Sequence, residues 1–156
     1  MRNYENAMEI MTERFGKDNI IAIATMEDGH LYNRMVDAYF EEDAFYVVTY
    51  MLSNKMRQIG KNPEVAVCAV DWFSGQGIGE NLGWVLDPQN AEIRLKLRKA
   101  FAAWYDHANN EQDKNCCFLK IRLTNGMLIK DHHAVRYQID FTSKLAKMSE
   151  NWGEFK

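Results

Sequence analysis

The sequence predicts a mainly β domain with flanking helices, and three observations lead there. Short runs rich in β-branched and aromatic residues alternate with tight-turn signals between residues 20 and 72; two of these runs are apolar on both faces; the stretches with helical spacing are few and short. The chain has 156 residues, 47% hydrophobic and 26% charged, which suits one soluble globular domain that needs no disulfide or structural metal.

Tyr4, Ala7, Met8, Met11 and Phe15 recur at helical spacing and Gly16 follows as a cap, so a first helix is expected over 3–15. The run 20–26 is β-branched and closes on Asp28-Gly29, a tight-hairpin dipeptide, which predicts a partner strand over 30–40. A polar turn at 41–43 leads to a third strand over 44–50. Ser53 then caps a short helix that must end by Asn62-Pro63, because a residue before proline avoids helical geometry. A fourth strand is expected over 65–72.

The glycine-dense stretch 74–83, running into Trp84-Val85-Leu86, reads as a loop or a bulged strand. Asp87-Pro88 opens a helix whose buried stripe is Ile93, Leu97, Ala100, Phe101, Trp104 and Tyr105. After a polar connection over 107–114, strands are expected over 116–124 and 127–141, joined by a hairpin at Asn125-Gly126. No repeat or Pro/Gly/Ser linker divides the chain, so a single domain over 1–156 follows.

The strands 44–50 and 64–72 are apolar on both sides: Phe45 and Val47 against Tyr46 and Val48, then Val65 and Val67 against Ala66, Cys68 and Val70. One side fills a barrel or sandwich core. The other needs helices, a second subunit or a flat ligand, and a second subunit is preferred because three helices cannot shield a whole small barrel.

Composition narrows the function. With Lys+Arg 19 against Asp+Glu 22, the net charge of -3 offers no basic footprint for nucleic acid. No apolar run is long enough for a membrane span and no signal peptide opens the chain, so a cytoplasmic protein is expected. The three cysteines, Cys68, Cys116 and Cys117, read as reduced thiols. Gly75, Gly77 and Gly79 do not keep dinucleotide-fingerprint spacing. Neighbouring His132 and His133 point to opposite faces of a strand, and His30 and His107 lie without ligand-spaced partners, so no metal site is expected. No nucleophile elbow or activated thiol appears, and no catalytic side chain is identified.

An anion site is the remaining chemistry. Ser53 caps a helix whose first N–H groups are unsatisfied, and Lys55 sits in its first turn, where a cation opposes the helix dipole unless an anion lies between. Arg34 interrupts a strand-like run and wants an anion too. The alternatives are an ordinary capped helix and a salt bridge from Arg34 to Asp37 or Glu80.

These residues resemble the pyridoxamine 5′-phosphate oxidase-like, FMN-binding split-barrel superfamily. The likeness rests on Ile23-Ala24-Thr25 before the Asp-Gly turn, on Arg34-Met35-Val36, and on Tyr46 to Tyr50 followed by Ser53, Lys55, Ile59 and Asn62-Pro63. It spans about residues 20–72, with weaker similarity at Gly83-Trp84 and Val135-Arg136-Tyr137. The resemblance implies a six-stranded antiparallel split β-barrel and a homodimer with two flavin sites at its interface. Arg34, Ser53 and Lys55 would contact the FMN phosphate, with Asn54 standing where a basic residue is common; Met35, Val36, Thr49 and Tyr50 would line the flavin. Gln76, with Glu80 or Asn81 next, would reach the flavin held mainly by the other subunit. Trp84 and Trp104 are candidates to cap the site, although its stripe position favours core packing for Trp104.

The tail from Phe141 to Lys156 lacks a counterpart of the tryptophan-and-arginine segment that holds substrate in true pyridoxamine 5′-phosphate oxidases. The resemblance is closer to short flavin reductases and nitroimidazole reductases. It implies electron transfer from NAD(P)H to a small acceptor, a nitroaromatic, quinone or flavin. The alternatives are a flavin or haem carrier, with His30, His107, His132 or His133 as iron ligand, and a dimer with a vestigial pocket.

Overall fold

The computed structural model of the chain describes residues 2–132 and 135–150. In chain order its elements are α1 (Arg2–Phe15), β1 (Asn19–Glu27), β2 (His30–Glu41), β3 (Ala44–Tyr50), α2 (Asn54–Lys61), β4 (Glu64–Ala69) and β5 (Phe73–Trp84). A 3-10 turn (Pro88–Asn90), α3 (Ala91–Ala100), α4 (Tyr105–Ala108), β6 (Cys116–Ile129), β7 (Arg136–Asp140) and β8 (Leu145–Ser149) complete it. The strands pair antiparallel in the order β3-β2-β1-β4-β5-β6-β7-β8, and a further β3–β6 pairing closes the first six into a barrel. The expected six-stranded antiparallel split barrel is therefore present, extended by two strands.

Alternation along each strand builds the interior. Ile21 and Ile23, Phe45 and Val47, Val65 and Val67, and Leu119 and Ile121 point inward and are buried. Helix α1 adds Ala7, Met11 and Phe15 to this core, with Phe15 edge-on to Phe45 at 5.8 Å. Its last turn is tied to the strand ends by Arg14, whose guanidinium donates to the carbonyls of Asp71, Ile129 and Lys130 at 3.0, 2.7 and 2.6 Å. Asp28 and Gly29 both adopt positive φ, as the expected β1–β2 hairpin requires.

Two expectations need correction, and one that left two readings open is decided. Asn125-Gly126 is no hairpin: it lies inside the continuous strand β6, because a Cβ at Gly126 would stand 2.6 Å from the Phe73 ring, so the glycine serves close packing. The glycine-dense stretch is the strand β5 with bulges, the second of the two readings; at Gly79 a Cβ would meet Ile59 at 2.8 Å, so the glycine makes room for α2. The fourth strand ends at Ala69, where the chain turns through Trp72 at φ 60°.

The doubly apolar strands divide. The second face of β3 is covered within the chain: Val48 joins Val85, Leu97, Phe101, Tyr105, Cys116 and Phe118 in a separate core beneath α3 and α4, with Tyr46 packed against it. The preferred covering subunit is not needed there. The second face of β4 is open, with Ala66 and Cys68 exposed and Val70 exposed just beyond the strand. Among the described residues, no helix is long and apolar enough to cross a membrane.

Candidate functional site: a split between two strands

Strands β2 and β3 pair at only three positions, Tyr39 with Tyr46, Phe40 with Phe45 and Glu41 with Ala44. Beyond them β2 stays with β1 through Ala38 to His30, and β3 stays with β6 through Tyr50 opposite Cys116. The two strand edges therefore part, leaving backbone groups outside any ladder. A cleft of about 350 Å³ occupies the split, with Val36, Asp37, Val48, Thr49, Tyr50 and Lys55 on the barrel side and Trp104, Asn109, Asn110 and Asp113 opposite.

One end of the cleft is cationic. Ser53 is extended and its Oγ accepts from the Met56 amide at 3.5 Å, starting α2 as expected and leaving the hydroxyl proton free to donate elsewhere. Arg34 points inward opposite Ile23. Its Nη1 donates to Thr25 Oγ1 at 2.9 Å and to the Ile23 carbonyl at 3.4 Å, and its Nη2 donates to Gln58 Oε1 at 2.7 Å. Thr25 Oγ1 donates to the same Gln58 oxygen at 2.5 Å. Every acceptor is neutral, so the guanidinium is aimed without being neutralised.

Lys55 is half-buried beside it. Burial first, then the neighbouring Arg34 charge, lowers the Lys55 ammonium below the ordinary lysine range. Burial also lowers Arg34. Among the described residues neither cation has a carboxylate within ion-pair distance, so the salt bridge from Arg34 to Asp37 or Glu80 is not formed. Lys55 in the first turn of α2 and Arg34 on β2 thus place two cations without a carboxylate beside a helix N-terminus, a setting that favours an anion.

The opposite wall is held rigid from behind. The Glu111 carboxylate accepts from Arg94 Nε at 2.7 Å, Arg98 Nη1 at 2.9 Å and Tyr105 Oη at 3.1 Å, and Arg94 holds it below the usual carboxylate range. The Glu111 carbonyl accepts from Trp84 Nε1 at 2.8 Å. Trp84 is thus part of the support and does not line the cleft. Trp104 has both roles considered for it, stacking on Phe101 at 4.7 Å and facing the cleft.

Arg34, Val36, Thr49, Tyr50, Ser53 and Lys55 gather at or beside the cleft. Asn54 follows them but its Oδ1 accepts from Arg57 at 2.7 Å. Met35 points to the outer face of the barrel, 58% exposed beside Ala22. Gln76 is on the exterior of β5, two strands beyond β1, and lines a separate groove of about 880 Å³ with Ser74, Asn125, Met127 and Gln138. Within one protomer Gln76 does not join the cleft. Glu80 and Asn81 are exposed further along β5. His133 and the tail over 151–156 lie outside the described residues.

Sequence reasoning missed Thr25 and Gln58, the two residues that aim Arg34. Gln58 carried a signal, being a polar residue between the apolar Met56 and Ile59 of a short helix. Asn109, Asn110 and Asp113 carried none, since a polar connection resembles any other.

No protein-family model and no curated protein matches the sequence. Solved structures do. The chain is similar to a pyridoxamine 5′-phosphate oxidase-related, FMN-binding protein from Nostoc punctiforme, at 15% identity over 94% of this chain and 95% of that one, with a TM-score of 0.60. A FAD-binding protein from Mesorhizobium loti is 17% identical over 77% of this chain and 91% of its own, with a TM-score of 0.57. A haem-binding protein from Mycobacterium smegmatis is 12% identical over 91% of this chain and 59% of its own, with a TM-score of 0.66. The fold is that of the pyridoxamine 5′-phosphate oxidase-related split barrels.

Proposed function

We propose that the chain binds FMN in the split and, as a homodimer, passes electrons from NAD(P)H to a small acceptor such as a nitroaromatic, a quinone or free flavin. The observation that carries the reading is the pair of uncompensated cations, Lys55 lining a cleft walled by unpaired strand edges and Arg34 beside Lys55. A phosphate monoester dianion matches that charge. Flavin binding by neighbours of the same fold supports it.

Bound FMN supplies the hydride and electron chemistry. Arg34 and Lys55 hold its phosphate, and the Ser53 hydroxyl and first α2 amides donate to it. The edges at Met35–Asp37 and Val48–Tyr50 offer N–H and C=O groups to the heteroatoms of the ring. The wall from Trp104 to Asp113 restricts access. The open face bearing Ala22, Ala24, Met35, Ala66, Cys68 and Val70 packs against a second copy, which brings its own Gln76 toward the ring. The protein works in the cytoplasm as a single domain.

The test is the absorption spectrum of the purified protein before and after FMN, then NADH without oxygen. Flavin bands that bleach with NADH support the oxidoreductase; bands that persist point to a carrier; absence of binding overturns the cofactor. A haem carrier is the second reading, favoured by the Mycobacterium smegmatis neighbour and marked by a Soret band. Among the described residues no histidine lines the cleft, so flavin is preferred.

A further inference from the structure

Two residues that line the cleft, Trp104 and Asp37, take part in contacts that phosphate binding does not use. Trp104, on the turn between α3 and α4, donates from Nε1 to Asp18 Oδ2 at 2.8 Å, joining positions 86 residues apart. Asp18 lies in the turn between α1 and β1 and lines one hollow together with Asp37, whose carboxyl is raised above its ordinary value by burial and then by the Asp18 carboxyl. Asp37 belongs to the β2 edge of the split and lines both the cleft and a second hollow of about 380 Å³ outside it. Two carboxyls bond to one another only while they share a proton, so a tie between Asp18 and Asp37 lasts only while Asp37 keeps its proton, and Asp18 Oδ2 meanwhile accepts the indole N–H.

Resting on the FMN reading, we propose that Trp104, Asp18 and Asp37 form a latch across the end of the split that sets how fast the bound flavin leaves. Trp104 brings the α3–α4 wall, Asp37 brings the strand edge, and Asp18 bridges them. The three are positioning residues. None is required for the phosphate contact, which lies with Arg34, Lys55 and Ser53.

The latch is sensitive to pH. Burial first, then the adjoining Asp18 carboxylate, raises the Asp37 carboxyl above its ordinary value. Around Asp37 the charged and titratable groups are Arg14 of α1, Asp18, and Asp71 of the β4–β5 turn on the outer side. Lys55 of α2, Asp113 of the connection and Cys116 of β6 stand on the cleft side. Arg14 directs its donors to three carbonyls and forms no ion pair with Asp37, and burial pushes the Cys116 thiol up to about 11, so the thiol adds no charge near neutral pH. As pH rises through the raised Asp37 value, the shared proton leaves, the two carboxylates repel and the latch opens.

The experiment measures FMN release by stopped-flow fluorescence across the carboxyl range, using the full chain and its W104F and D37N variants. Phenylalanine keeps the ring on Phe101 and removes the donor; asparagine keeps a donor to Asp18 at every pH. Wild-type release should accelerate with pH, W104F should release FMN about three- to tenfold faster with little pH dependence, and D37N should stay slow and flat. In the ligand-free protein the Trp104 indole N–H resonance, identified by its loss in W104F, should shift as Asp37 titrates and stay fixed in D37N. Release unchanged in W104F, or a wild-type pH profile retained in D37N, overturns the latch while leaving FMN binding intact. If the wild-type chain binds no FMN, the cofactor reading falls and the claim about release falls with it.

Discussion

Helix α2 carries cations of two kinds within two turns. Arg57 and Lys61 share the Glu27 carboxylate at 3.1 and 3.0 Å, and their hydrogen bonds lower its pKa to about 2. Lys55, two residues before Arg57, shares its surroundings with Arg34, and among the described residues no carboxylate pairs with it. The first group is self-contained on the protein surface. The second keeps positive charge where a helix N-terminus and an open cleft meet, and Arg34 is held there by two buried neutral residues, Thr25 and Gln58. The difference separates cations paired within the fold from cations left without a carboxylate, a distinction that their positions in the helix alone do not make.

The largest break in this comparison should come from Arg34→Ala. It removes one phosphate charge and leaves Thr25 and Gln58 buried without their donor, so FMN affinity should collapse and stability should fall by about 1–3 kcal/mol in urea denaturation. Lys55→Ala should weaken FMN binding by about 1.5–3 kcal/mol in a fluorescence titration, with little effect on folding. Unchanged affinity would remove Lys55 from the site.

A smaller effect sharpens the contrast through pH. Because the Lys55 pKa is lowered, its charge is lost at a lower pH than for an ordinary lysine, so FMN affinity should decline early on the alkaline side. Lys55→Arg should move that decline to higher pH. The smallest effect belongs to Glu27→Gln, which should leave FMN affinity unaltered. Its pKa is lower in the folded chain than the ordinary 4.5, so the Glu27 contribution is full above pH 4.5 and disappears as pH falls toward 2. Thermal melts of wild type and Glu27→Gln at pH 2 should therefore differ less than at pH 7.

Much of this was legible in the chain because it is local. Asp28-Gly29, Ser53 and Asn62-Pro63 carry turn and cap chemistry within a few residues, and Arg34 stood out as a cation inside a strand-like run. Asn125-Gly126 misled, since the same dipeptide that favours a hairpin also lets a strand pass against an aromatic ring, and the Phe73 ring that decides between them is 53 residues away. The covering of β3 was equally non-local: α3 and α4 return over Val48 after the chain has completed β5. The cleft wall at Asn109, Asn110 and Asp113 depends on Glu111 meeting Arg94 and Arg98, pairings visible only in space.

The three-rung pairing between β2 and β3 also gives the barrel a seam. Every other neighbouring pair in the ring shares more rungs, so β2 and β3 can be drawn apart or together at the least cost in broken ladder bonds. A molecule bonded to both edges acts as extra stitching in that seam. By mass action it would raise the unfolding free energy by about 2.7 kcal/mol at a hundred times its dissociation constant. Amide exchange along the ladders at Val36 and Val48 would then report occupancy as directly as colour does.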